Sequence, residues 1–120
     1  MSSLKINDII NISGETEESR GIKYDDIQTY LCHLHSEVSE IFEELKHGHT
    51  VDEIYYEGSD GGRINQLSDA YDLVDVKEKG VPCELADVVI LACTIAHRFD
   101  IDLSDAINRK LMYNRVRPRR

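Results

Sequence analysis

"CELADVVILACTIAHRF", residues Cys83 to Phe99, is an apolar run with two acids near its start. It reads as a helix. Pro82 stands just before it, where a missing N–H costs nothing because the first amides of a helix lack intrahelical partners. A helix that buries most of its surface should not carry Glu84 and Asp87 on a buried face unless something pairs with them. Reading outward, the link "DID" is short, and Asp102 or Ser104 can cap a further helix from about Leu103 to Arg115. Short links imply antiparallel neighbours.

Toward the N-terminus the strongest signal begins near Asp25. Leu31, Leu34, Val38, Ile41, Phe42 and Leu45 follow three- and four-residue spacing and predict a long helix with one buried stripe. Asp25 and Asp26 suit its positive end, and Lys46, His47 and Gly48 its negative end and cap. "LKINDIINI" has enough apolar residues for a short helix, and "SGETEESRG" after it reads as a loop. Residues 49–80 read as a long, partly helical connection, with a turn-rich "YYEGSDGGR" and a short helix over "INQLSDAYDLVDV". Connections of this length are uncommon unless functional or disordered. No strand pattern and no internal repeat stands out. The expected fold is all-α: an antiparallel bundle of three main helices plus short ones. It forms one domain over 1–120, with a poorly defined segment at 1–23.

The chain has 120 residues, 41% hydrophobic and 31% charged, the composition of an ordinary soluble domain. No apolar run is long enough to span a bilayer, and "MSSLKINDII" lacks the features of a signal peptide. Cys32, Cys83 and Cys93 are odd in number and widely spaced. They argue against a disulfide framework or zinc finger and for a reducing cytoplasm. A formal charge of −9 disfavours broad nucleic-acid binding. Residues 109–120 hold six of the 14 Lys and Arg and no acid, which leaves an acidic body with a basic tail.

The acids form a pattern. In "HSEVSEIFEEL", Glu37 and Glu40 are three apart and share a helix face, with Glu44 one turn further and His33 one turn before. Alone this reads first as a solvated acidic face, because exposed Glu is a common helix former. Glu84 and Asp87 repeat the spacing on a helix with few other polar positions. A structural salt bridge from the last helix would compensate Asp87, and so would a metal ion. Two such pairs can aim four carboxylates at one point, and all-oxygen ligation suits Mg²⁺ or Mn²⁺. In "RKLMYNRVRP", Lys110, Asn114 and Arg117 share a face suited to phosphate oxygens, although basic residues at a helix C-terminus also satisfy its dipole.

Taken in order, "SEVSE", "CELAD", the "IDL" turn and the "KLMYNRVRP" ending resemble the MazG-type all-α nucleoside triphosphate pyrophosphatases, relatives of the dimeric dUTPases. The resemblance covers roughly residues 25–118. It implies a Mg²⁺-dependent hydrolase (Mn²⁺ an alternative) that splits a nucleoside triphosphate between its α- and β-phosphates into a monophosphate and pyrophosphate. Glu37, Glu40, Glu84 and Asp87 would be the metal-binding catalytic acids. Lys110, Asn114 and Arg117 would contact phosphates, and the chain would form a homodimer or homotetramer. Ser36 stands where many members have another Glu, and the gap from Glu40 to Glu84 is longer than in compact members. The extra residues suggest a lid or an oligomer contact, and Tyr55 or Tyr56 there is either a base-stacking or an interface residue. The rival expectation is a non-catalytic acidic helical binding or regulatory protein of the same fold. A di-iron bundle is disfavoured, because only Glu44 and His47 make the required ExxH pair.

Overall fold

The computed structural model describes residues 3–58, 63–64 and 76–118. These form four helices and a small sheet: α1 (Ile6–Arg20), α2 (Ile27–Lys46), β1 (Tyr55–Glu57), β2 (Arg63–Ile64), β3 (Lys77–Lys79), α3 (Val81–Arg98) and α4 (Leu103–Val116). The structure is mostly helical, as expected. Among the described residues no helix is long and apolar enough to cross a membrane. The chain divides into two compact units, one of Met1–Tyr30 with Ile90–Arg120 and one of Leu31–Val89.

In the first unit, α1 corrects the expected loop over "SGETEESRG". The helix runs through Gly14 to Arg20 and stops at Gly21, whose φ of 94° lies in the left-handed region. Glycine disfavours a helix interior by about 1 kcal/mol. Here packing decides: Ser13 and Gly14 are buried, and a Cβ on Gly14 would collide with the His97 ring. Tyr30 is fully buried, edge-on to Tyr24 and Phe99, and its hydroxyl donates to Glu17 Oε2 at 2.7 Å. Cys93, Ile95, Ala96 and Ile10 complete this core. Asp102 caps α4 by accepting from the Asp105 amide at 3.1 Å.

In the second unit the chain leaves α2 at Gly48, whose φ is 89°. It then forms an antiparallel sheet in the order β2-β1-β3, with Tyr55 opposite Lys79, Tyr56 opposite Glu78 and Glu57 opposite Lys77. This sheet was not anticipated: its strands hold two or three residues, too few to display an alternating pattern. The expected short helix over "INQLSDAYDLVDV" lies outside the described residues except Ile64, which is in β2. Gly80 turns β3 into α3 with φ of 122°. A Cβ there would collide with the Glu53 carbonyl oxygen, so the turn both needs and admits only glycine.

The α2 stripe is a second correction. Leu31, Val38, Phe42 and Leu45 are 43–64% exposed in the single chain rather than buried, while Leu34 and Ile41 are half-buried. Periodicity marks a face as apolar but does not say what covers it. Leu85 and Val89 of α3 are exposed as well.

Candidate functional site

A cleft of about 680 Å³ lies within the second unit, among residues of α2, the sheet and the start of α3. All four predicted acids line it. Glu37 and Glu40 come from α2, Glu84 and Asp87 from α3. Oxygens of Glu37, Glu84 and Asp87 lie within 4.8 Å of one another, and so could hold a metal ion. Asp87 is exposed, not buried as its apolar neighbours suggested; Glu40 is exposed as well and stands beside the trio, close enough to perturb every member of it.

The electrostatics follow from burial and like charge. Glu84 is 8% exposed, and desolvation, then the Glu40 carboxyl, then Asp87 push its pKa up to about 7. Desolvation also raises Glu37, helped by Glu40 and Asp87 and opposed by His33. Asp87 is raised by desolvation and by Glu40. Each shift disfavours the charged form, so the cluster resists full ionisation until a cation compensates it.

Neighbouring side chains fix the acids. His33 Nε2 lies 2.9 Å from Glu37 Oε1, one turn along α2. Glu37 Oε2 is buried and has no hydrogen-bond partner among the described residues. An orphaned buried carboxylate oxygen is costly, and a cation or an ordered water aimed at it removes that cost. Together with an all-carboxylate donor set, this fits a hard divalent cation.

Other lining residues play parts that spacing did not reveal. Glu44 is not part of the wet acidic line. It is buried at 7% exposure and accepts from the Tyr55 hydroxyl at 2.8 and 3.1 Å. The Tyr55 ring stacks on His49 with centroids 4.5 Å apart, and His49 Nδ1 lies 3.1 Å from Glu53 Oε2. Tyr55 is thus an anchor that ties β1 to α2. Lys77 and Lys79 also line the cleft. The alternation Lys77, Glu78, Lys79 was their only sequence signal.

Lys110, Asn114 and Arg117 belong to the other unit. All three are exposed; Lys110 and Arg117 both reach over the Tyr113 ring, at 5.2 and 5.8 Å from its centroid. Arg117 lies just past the last turn of α4. The three cysteines are free thiols. Cys83 borders the acids, and burial followed by Glu78 pushes its pKa up to about 11, which keeps it an unreactive thiol at neutral pH.

No family model, curated protein or solved structure matches the chain.

Proposed function

We propose that the protein is a Mg²⁺-dependent nucleoside triphosphate pyrophosphohydrolase, acting on a dNTP or a non-standard NTP and releasing a monophosphate and pyrophosphate. One observation carries the reading: carboxylates from two helices, each an i, i+3 pair, converge in a cleft of nucleotide size. Glu37, Glu84 and Asp87, with Glu40 beside them, would hold the cation. When bound, Mg²⁺ or Mn²⁺ supplies charge neutralisation and polarisation of phosphate oxygens.

The chain's own part is orientation and proton transfer. Water attacks the α-phosphorus; the new O–P bond forms as the bond to the bridging oxygen breaks, and pyrophosphate leaves. The water proton needs a carboxylate acceptor. One of the four carboxylates of the cleft orients the water and accepts this proton. The exposed apolar residues of α2 and α3 support self-association into a dimer or tetramer.

The test is product analysis with Mg²⁺ and a panel of canonical and modified NTPs and dNTPs. Monophosphate plus pyrophosphate is expected, and Asp87→Asn should reduce turnover at least about 100-fold while the fold is kept. Diphosphate plus phosphate would refute the assigned bond. No turnover across the panel would favour a non-catalytic acidic binding protein.

A further inference from the structure

Register and the Tyr55 anchor together show which face of the sheet looks into the cleft. Tyr55 pairs with Lys79 and Glu57 with Lys77, and directly opposed residues project to the same side of a sheet. The Tyr55 hydroxyl bonds Glu44 of α2, so this side faces the helix that carries Glu37 and Glu40. Both lysines line the same cleft as the four acids. Among the described residues neither makes an ion pair within 4.0 Å, although Glu57 is the cross-strand neighbour of Lys77 and the cleft is rich in carboxylates.

We propose that Lys77 and Lys79 bind the phosphate chain of the substrate, placing the leaving pyrophosphate against β3 while the carboxylates of α2 and α3 hold the cation. The inference rests on the triphosphate reading of the cleft and assigns the part of the substrate that β3 contacts. An ammonium is a compact charge with three donors and suits phosphate oxygens. The two lysines stand on the strand that turns at Gly80 directly into α3, so they line the cleft next to the acid pair at the start of that helix. A triphosphate laid between the acids and the lysine strand would meet the cation that the acids hold on one side and direct N–H donors on the other. Among the described residues, Lys77 and Lys79 are the lysines and arginines that line this cleft.

Inorganic pyrophosphate with Mg²⁺, titrated by calorimetry, probes the site directly. Lys77→Gln and Lys79→Gln should each weaken its binding about tenfold or more, with larger loss in the double variant. Lys79→Arg should retain most affinity, and Mn²⁺ alone should still bind in every variant. Lys77 is exposed, so its replacement leaves the packing intact even where Lys79→Gln disturbs the sheet. Pyrophosphate affinity within twofold of the unsubstituted protein in Lys77→Gln and the double variant would overturn this assignment alone. An unsubstituted protein that binds neither Mn²⁺ nor pyrophosphate and hydrolyses no NTP would overturn the triphosphate reading with it.

Discussion

Each acid of the cleft lies where a single charge is tolerable and several are not. Glu84 is the extreme case, buried and faced by Glu40. Its folded pKa of about 7 stands above the ordinary carboxylate value, so the folded state holds a proton that the unfolded chain has already lost. Stability from this group is therefore full below about pH 4.5 and is lost as pH rises through about 7. In chelator, the melting temperature of the unsubstituted protein should fall from pH 5 to pH 7.5 relative to that of Glu84→Gln. A wider gap in the opposite direction would show that Glu84 ionises without penalty. Mg²⁺ binds the deprotonated cluster, so its stabilising effect should be greater at pH 8 than at pH 5.5.

At the scale of elements, the helices follow from sequence wherever an apolar period or a cap is present. Asp26 accepts the Thr29 amide at 2.7 Å near the start of α2, Pro82 sits in the first turn of α3, and Asp102 caps α4. Two of the misreadings, the loop placed in α1 and the missed sheet, share one cause, contacts distant in sequence. Gly14 looks like a breaker but is the close-approach point of α1 against His97. Gly14→Ala should destabilise the protein by about 1–3 kcal/mol despite alanine's better helix propensity, because the ring must move. Chemical denaturation measures this, and a neutral or stabilising result would show that His97 yields freely. The sheet escaped notice because β3 is a charged Lys-Glu-Lys run, which strand propensity disfavours. It is a strand because β1 supplies its hydrogen bonds and Gly80 supplies its exit.

Across the whole molecule, the acids of the cleft were legible because i, i+3 spacing is local and fixes a shared face. The lysines of β3 were not, because only pairing with Tyr55–Glu57 brings them to that face. The identity of α2 as an apolar helix was likewise legible, but its burial was not. Phe42 at 64% and Val38 at 50% exposure form an apolar surface on the single chain. If that surface is the contact between copies, Val38→Lys with Phe42→Lys should convert the assembly to monomer at micromolar concentration, read by light scattering. A monomeric unsubstituted protein would show that the apolar face of α2 is not a contact between copies. The turn at Gly80 has one more consequence, for how such a chain can diverge. Residues 77–87 carry both the lysines and the second acid pair on either side of a turn that admits no slack. One residue inserted there would either rotate Glu84 and Asp87 by about 100° around the helix axis or flip the lysines to the opposite side of the strand. Insertions and deletions are therefore expected to be tolerated worst between Lys77 and Asp87, and that segment should be kept or lost as one piece.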